Sequence, residues 1–218
     1  MDIIFKVFLI IHIISGAVGL FSGLLNVMRK KGDKLHVMVG RIFYISMLIT
    51  GFSSFVLSIL HTNYFLFMVA VFTLYMVSTG KRYISMKMHH NHPLPNWIDW
   101  SISIVMFIVG VVFMGLGATV LLRTNLFGLV FLLFGMMGVF FVFHDFKNYR
   151  GKSRTKNYWL LAHLQRMMGG FIASFTAFLV VNASYLPTQI PGFIYWLLPT
   201  VIFTPFIIAW SRKYEVKK

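Results

Sequence analysis

The feature of this sequence that most restricts its fold is a series of seven apolar stretches separated by short polar segments. The stretches cover residues 3–25, 35–60, 65–83, 97–121, 126–144, 158–181 and 193–210. A helix needs about 20 apolar residues to cross the hydrocarbon core of a bilayer, and it satisfies its own backbone hydrogen bonds there. The alternating segments of about ten residues that a transmembrane barrel requires do not occur. The pattern predicts an all-α membrane protein, a seven-transmembrane-helix bundle.

The composition favours the same fold class and excludes a soluble one. Of the 218 residues, 58% are hydrophobic and 11% are charged, whereas about 25% are charged in an average soluble domain. A soluble protein with so few charges would expose large apolar patches and aggregate. The absence of cysteine excludes disulfides, thiolate metal sites and a cysteine nucleophile. We expect residues 1–218 to form a single polytopic membrane domain in contact with the lipid bilayer.

The distribution of the formal charge of +15 predicts how the helices are oriented. If the helices alternate in direction, sixteen of the twenty Lys and Arg residues fall on the side of the C-terminus. Cytoplasmic loops carry such an excess, which places the N-terminus outside and the C-terminus in the cytoplasm, in the cell inner membrane. Nucleic-acid binding is not expected, because the basic residues form no continuous patch with interleaved aromatic residues. The sixteen residues are Arg29, Lys30, Lys31, Lys34, Lys81, Arg82, Lys87, Lys147, Arg150, Lys152, Arg154, Lys156, Arg212, Lys213, Lys217 and Lys218.

Small and polar residues on the first predicted helix recur every three or four positions and therefore share one face. They are His12, Ser15, Gly19, Gly23 and Asn26. Small residues at four-residue steps let a second backbone approach closely, so this face is expected to pack on another helix. Tight turns at 61–64 and 123–125 also predict that helices two and three, and helices four and five, are antiparallel neighbours.

Polar and ionisable residues inside the predicted spans are the candidates for a functional site, because such groups are costly in a membrane and usually face the bundle interior. Eight of them are expected to gather in the cytoplasmic half of the membrane as a ligand or cofactor site: His36, Arg41, Tyr44, Asp99, His144, Asp145, His163 and Arg166. His12 lies near mid-membrane and is a candidate proton relay. Two other interpretations stay open: ion pairs that hold the helices together, and long side chains that reach the interface.

The histidines are candidate ligands for haem or a metal ion. Three of them are predicted at similar depth and are the candidate ligands of haem b or a divalent metal: His36, His144 and His163. A predicted loop carries three further histidines: His89, His90 and His92. They could bind a divalent metal at the inner surface, but a solvated basic loop is the simpler explanation. No HExxH, Walker or GxSxG motif occurs, which favours a role other than catalysis.

Three blocks of the sequence resemble a known family. The first is HIISG (12–16) with KG (31–32), His36 and GRIFY (40–44); the second is FLFMVA (65–70) with TGKR (79–82); the third is HLQRM (163–167) with TAF (176–178) and Asn182. They are similar to the uncharacterised bacterial integral-membrane family catalogued as domain of unknown function 2306, although Val37 stands where that family often has arginine. The resemblance implies a polytopic prokaryotic membrane protein in which His12, His36 and His163 are recurring polar positions. It implies no particular activity.

The residues are consistent with three classes of function. The first is membrane redox chemistry with a bound haem, metal or quinone, in which Arg41 and Arg166 hold propionates or a quinone head group. The second is a proton-coupled small-solute carrier that uses the same arginines, and the third is a non-catalytic accessory membrane subunit. The redox hypothesis predicts that His36 and His163 face each other across open space about 10–13 Å wide. The carrier hypothesis predicts a water-filled path from His12 to Arg166, and the accessory hypothesis a tight interior with every charge paired.

Overall fold

The structure is a computed structural model that describes residues 2–87, 95–187 and 192–217. Within these ranges the chain forms seven long α-helices and a short 3-10 turn, without a β-strand. All seven helices are long and apolar enough to cross a membrane, so the prediction of an all-helical chain with seven candidate spans is confirmed. The loop triplet of histidines at 89, 90 and 92 lies outside the described residues. The helices are α1 (Asp2–Met28), α2 (Lys34–Leu60), α3 (Tyr64–Lys87), α4 (Trp97–Leu122), α5 (Gly128–Tyr149), α6 (Tyr158–Val181) and α7 (Gly192–Tyr214).

The contacts between helix termini define two ends of the bundle. The start of α1 meets the end of α2, where the rings of Phe5 and His61 are 4.4 Å apart. The start of α6 meets the end of α7, where the side-chain amide of Asn157 donates to the Tyr214 carbonyl over 2.5 Å. Consecutive helices therefore run antiparallel. We call the end that carries the C-termini of α1, α3, α5 and α7 the basic end, because the segments between its helices are rich in lysine and arginine.

Helix α3 lies at the centre of the bundle. It packs against α2, α4, α5 and α6, and 56% of its apolar stretch is buried, compared with 11% in α1. Its interior positions include the hydroxyl-bearing residues Tyr75, Thr79 and Tyr83, each four residues after the last, and all three are buried. A central helix thus carries the polar groups around which the other helices are arranged.

Glycines bring α4 and α5 into backbone contact. A Cβ atom on Gly135 would lie 2.7 Å from the Gly110 carbonyl oxygen, and one on Gly117 would lie 2.8 Å from the Gly128 carbonyl oxygen. No side chain fits between helices this close, so the approach depends on glycine at these positions. The predicted pairing of helices four and five is confirmed, as is that of helices two and three.

The predicted polar face of α1 packs on α2, as expected from its spacing. Ser15 accepts a hydrogen bond from Thr50 over 2.9 Å, and a Cβ on Gly19 would lie 2.0 Å from the terminal methyl of Met47. Near the basic end, the Asn26 side chain donates to the backbone carbonyl of His36 over 3.3 Å. Helices α1 and α2 therefore form an antiparallel pair along most of their length.

The predicted end of helix five needs correction. The apolar pattern of helix five stops at residue 144, but α5 continues for five more residues to Tyr149. His144 and Asp145 therefore lie more than one turn inside the helix rather than at its end. The hydropathy pattern ends at the first charged residue, whereas the helix continues because Asp145 is fully buried among partners on other helices.

Candidate functional site

The main candidate site is a cavity of about 480 Å³ near the basic end, lined by α1, α2, α6 and α7, by the segment between α1 and α2, and by one residue pair from α3. This volume lies in the range of small-molecule sites, roughly 300–1,000 Å³. Four of the eight predicted site residues line it: His36, Arg41, Tyr44 and His163. Aromatic and aliphatic side chains form most of the remaining wall, including Phe43, Trp159, Met167, Phe171 and Trp210. We call this space the α2–α6 cavity.

His163 is held in a fixed orientation beside the cavity. Its Nδ1 lies 2.8 Å from the backbone carbonyl oxygen of Gly80. A carbonyl can only accept, so Nδ1 carries the proton and donates, and the lone pair is on Nε2. Gly80 permits this contact by letting α3 and α6 approach, since a Cβ there would lie 3.0 Å from the Cβ of Arg166. A histidine that donates one nitrogen to a backbone carbonyl has the arrangement typical of metal-ligating histidines.

His36 and Asn26 present unsatisfied polar atoms at the opposite wall. The Nδ1 of His36 and the Oδ1 of Asn26 are buried and have no hydrogen-bond partner among the described residues. The first turn of α2 fixes His36, because the Asp33 carboxylate caps the helix and accepts from the His36 backbone N–H over 2.6 Å. Buried polar atoms are nearly always paired with protein, water or a ligand. These two atoms therefore mark a place where a bound molecule would complete the hydrogen bonding.

The cavity is electropositive. Lys31, Arg41 and Lys81 line it, and no Asp or Glu is among its described lining residues. Arg41 is exposed and forms no ion pair with any acidic side chain in the described ranges. A concave, mostly apolar space lined by positive charges raises the local concentration of anionic ligands.

Lys31 closes the end of α1 and connects it with α7. Its Nζ donates to the carbonyls of Asn26 over 2.5 Å and Val27 over 2.8 Å, and lies 4.0 Å from the centre of the Trp210 ring. The residue belongs to the segment between α1 and α2, outside the spans. Partial burial lowers the pKa of the Lys31 ammonium to about 8. Its charge therefore titrates just above neutral pH.

Two other predicted residues, Asp145 and Arg166, form a buried ion pair in the interior rather than lining the cavity. The Arg166 Nη2 donates to Asp145 over 2.5 Å. The same carboxylate accepts from the hydroxyls of Tyr75, Tyr83 (2.7 Å) and Ser103 (3.2 Å). Donors from α3, α4 and α6 thus converge on one residue of α5. We call this group the Asp145 network.

Arg166 is held further by the backbone and rings of its neighbours. It donates to the Phe141 carbonyl over 2.8 Å, and its guanidinium lies 4.2 Å from the Phe141 ring centre and 5.3 Å from that of Tyr75. It is 2% exposed. The structure therefore separates Arg166 from Arg41, and the two arginines do not line a common cavity.

Asp99 has a separate partner. The Arg82 Nη2 donates to Asp99 over 2.8 Å and to the Asn96 side chain over 2.7 Å. Asn96 and Asp99 also form a capping box at the start of α4, which satisfies free backbone N–H groups there. This ion pair connects α3 with α4 and is not part of the α2–α6 cavity.

The remaining two histidines lie in other surroundings. His144 is exposed on α5, with its ring 4.6 Å from that of Phe140. The Nδ1 of His12 lies 3.1 Å from Ser54 Oγ and 3.3 Å from both Ser53 Oγ and the Thr50 carbonyl. His12 is thus hydrogen-bonded across the α1–α2 interface, about 16 Å along α1 from the nearest cavity residue.

Sequence reasoning missed several participants. Arg82 and Lys31 are among the loop charges used for orientation, yet one neutralises Asp99 and the other lines the cavity. Tyr75 and Tyr83 sit in an apolar stretch and read as ordinary span residues. Their spacing with Thr79, at four-residue steps, is the one signal that could have identified a polar face on helix three.

No protein-family model, curated protein or solved structure matches this chain. The fold and the site themselves define the class of this protein. It is an all-helical chain with seven candidate membrane spans, which suggests a multi-pass membrane protein. Within the bundle, an electropositive cavity and a closed carboxylate network lie side by side.

Proposed function

We propose that this chain is a multi-pass protein of the cell inner (cytoplasmic) membrane, with the N-terminus outside and the basic end in the cytoplasm. The support is the excess of lysine and arginine at one end of the bundle. We also propose membership of the family catalogued as domain of unknown function 2306, which rests on the three sequence blocks named above. His163, His36 and the segment at Gly40, which carry much of that resemblance, all line the α2–α6 cavity.

The orientation can be tested by labelling, because the chain has no cysteine. A single cysteine at Lys152 would lie at the basic end, and one at Leu126 at the other end. In intact cells, a membrane-impermeant maleimide should label Leu126→Cys, and Lys152→Cys only after lysis. The opposite labelling pattern would show that the orientation is reversed.

We propose that the function is cofactor binding for membrane redox chemistry, with a haem or a quinone in the α2–α6 cavity. The observation that carries this proposal is the geometry of His163, whose Nδ1 donates to Gly80 and whose lone pair is therefore on Nε2. Because His36 lines the same cavity with an unpaired Nδ1, two imidazoles are available to one bound molecule.

The number of protein ligands distinguishes among the candidate cofactors. In the described part of the chain, no three His, Asp or Glu side chains lie together so that they could hold a metal ion. A lone divalent metal would therefore receive too few ligands, since zinc sites use three or four. A haem brings four nitrogen ligands of its own and needs only one or two axial histidines. A quinone needs no metal ligand, only hydrogen-bond donors for its oxygens.

The cations and the apolar wall fit the same two cofactors. Arg41 and Lys81 would hold the propionates of a haem or the oxygens of a quinone head group. The Tyr44 hydroxyl lines the same cavity and is a further donor. Phe43 and Phe171, with ring centres 6.3 Å apart, form part of an apolar wall. A bound haem or quinone would supply electron transfer, and the protein would bind and orient it.

The two alternative functions have less support. A carrier that holds an anionic solute between Arg41 and Arg166 would have to break the Arg166–Asp145 pair, because Arg166 is already neutralised. His12 is hydrogen-bonded to α2. An accessory role would explain the Asp145 network, but it gives no reason for unpaired buried atoms at His36 and Asn26.

Absorption spectroscopy of the detergent-purified protein tests the proposal. We expect either a Soret band that shifts on reduction with dithionite, or a quinone in the organic extract, at about one cofactor per chain. His163→Ala and His36→Ala should lose most of the bound cofactor. His144→Ala is the matched control, because it removes an exposed histidine of the same bundle end and should retain it. Absence of both cofactors from the wild type, or equal loss in His144→Ala, would refute the proposal.

A further inference from the structure

A second pocket lies at the basic end, on the far side of α6 from the α2–α6 cavity. It has a volume of about 190 Å³ and is formed by the end of α5, the loop that follows it and the start of α6. A single water needs only about 10–15 Å³ of such space, so a phosphate-sized group fits. Its described lining includes no Asp or Glu and many hydrogen-bonding side chains: His144, Lys147, Asn148, Ser153, Arg154, Thr155, Tyr158, Gln165 and Arg166.

The pocket carries two positive charges, on Lys147 and Arg154, that no acidic side chain in the described part of the chain pairs with. Arg166 forms the inner wall, and its charge is neutralised by Asp145. Lys147 and Arg154 line the pocket as exposed side chains, and no ion pair involves either of them in the described ranges. The first turn of α6 adds to this, since its N-terminal residue has no side-chain cap, and the free N–H groups of a helix start favour anions.

An apolar surface leads from the pocket along α5. Helices α5 and α6 both pack on α3, and they meet each other through Arg166, which donates to Phe141 and Asp145 of α5. Apolar side chains on α5 are exposed at three- and four-residue steps that end at Lys147: Leu133, Met136, Phe140 and Phe143, which are 46–59% exposed. Residues spaced in this way form one continuous stripe on a helix.

We propose that an anionic phospholipid binds here, with its phosphate in the pocket and an acyl chain along the α5 stripe. Basic pockets between membrane helices at the cytoplasmic side bind anionic head groups, and each nearby Lys or Arg contributes to the binding. The stripe favours a lipid over free phosphate, because only a lipid covers apolar side chains that continue directly from the pocket. This site is independent of the proposed cofactor.

Native mass spectrometry of the detergent-purified protein tests the site. The probes are phosphatidylglycerol and, as the neutral comparison, phosphatidylcholine with the same acyl chains. We expect one phosphatidylglycerol to bind tightly, and phosphatidylcholine to bind weakly. The variant K147Q/R154Q should bind phosphatidylglycerol about 30-fold more weakly, since each charge contributes about 1 kcal/mol. The control K152Q/K156Q removes two exposed lysines of the same loop that do not line the pocket, and should bind as the wild type does.

Three results would overturn the proposal. Equal weakening by both double variants would mean that the loop attracts anionic lipid without a specific site. Equal binding of phosphatidylcholine and phosphatidylglycerol would mean that the head group is not recognised. Displacement of the bound phosphatidylglycerol by millimolar inorganic phosphate would assign the pocket to a free anion. A variant Phe140→Ser, which interrupts the stripe, should also weaken phosphatidylglycerol binding if an acyl chain lies there.

Discussion

The Asp145 network and the α2–α6 cavity meet at α6, one turn apart, and their buried acceptor atoms are in opposite states. At Asp145, each carboxylate oxygen accepts from two donors on other helices. At the cavity, His36 and Asn26 each keep a buried polar atom without a partner in the described chain. His163 and Arg166, three residues apart on the same helix, belong to the two different sites.

The difference separates a structural role from a binding role. The Asp145 carboxylate accepts from four donors and has no capacity for a further one, and the unpaired polar atom beside it is the buried Nε of Arg166. A buried atom without a partner costs free energy, about 1–3 kcal/mol, and at His36 and Asn26 it lies at a cavity in which a bound molecule would recover that cost. The network therefore fixes how α3, α4, α5 and α6 pack, and the cavity is where we expect chemistry. The predictions below test this division.

The largest effect is expected at Asp145. Asp145→Ala leaves Arg166 as an unpaired buried charge and removes the acceptor for three hydroxyls, which should cost about 3–5 kcal/mol. Thermal unfolding in detergent, followed by circular dichroism, measures the loss. Asp145→Asn keeps a carbonyl oxygen that can accept two hydrogen bonds and adds an amide NH₂ group. It should therefore cost less than Asp145→Ala.

The double variant D145L/R166M separates the charge from the packing. It removes both charges together, and replacement of a buried ion pair by apolar residues of similar size is often neutral. It should therefore be more stable than Asp145→Ala alone. A double variant that is less stable than the single one would show that the hydrogen bonds, rather than the unpaired charge, carry the stability of the network.

The next effect concerns backbone contact on the same side of the bundle. A methyl group at Gly135 would lie 2.7 Å from the Gly110 carbonyl oxygen, so Gly135→Ala must push α4 and α5 apart, at a cost of about 1–3 kcal/mol. Gly115→Ala on α4 is the matched control, since nothing lies within 4 Å of its Cβ position. Alanine is the better helix former, so the control should be neutral or stabilised by up to about 1 kcal/mol. Equal destabilisation by both variants would contradict close packing of α4 on α5.

Much of the architecture could be predicted from the sequence, because it depends on local pattern. Apolar length predicts the seven candidate spans, and residue spacing predicts the face that α1 presents to α2. The polar residues in the spans also identify His36 and His163, which the structure places on the same cavity. Each of these inferences needs only the periodicity of a single helix.

The separation of the candidate residues could not be predicted, because it depends on how helices rotate against each other. Arg41, Arg166 and Asp99 are all predicted in the cytoplasmic half of the membrane, but neither depth nor the periodicity of a single helix says which of them meet. Which of them meet is decided by the azimuth of α3, whose tyrosines turn toward Asp145 and whose Arg82 turns toward Asp99. No pattern within one helix encodes the rotation of its neighbour.

A smaller effect on stability, with a large effect on binding, is expected at His163. His163→Ala loses one hydrogen bond to Gly80, which should cost about 0.5–1.5 kcal/mol. The bound cofactor should nevertheless be lost. His163→Ala should therefore lose little stability and most of its cofactor, whereas the Asp145 variants should mainly lose stability. Unfolding is measured on cofactor-free protein and occupancy by the absorption spectrum or the quinone extract. A loss of stability as large as that of Asp145→Ala would assign His163 to the structural side of the comparison.

The smallest effect is a pH dependence at the mouth of the cavity. Burial lowers the pKa of Lys31 from 10.5 in the unfolded chain to about 8 in the folded protein. Between these values the unfolded state binds more protons, so the contribution of Lys31 to the stability of the cofactor-free protein rises with pH from about 8 to 10.5. Below pH 8 the residue is charged in both states and contributes no slope. Lys31→Met should therefore unfold with a flatter pH dependence than the wild type in this window, and parallel curves would contradict the burial of Lys31.

Binding of an anionic ligand in the α2–α6 cavity should respond in the opposite direction, because loss of the Lys31 charge above pH 8 weakens the attraction. Lys31→Arg stays charged and should retain binding above pH 8.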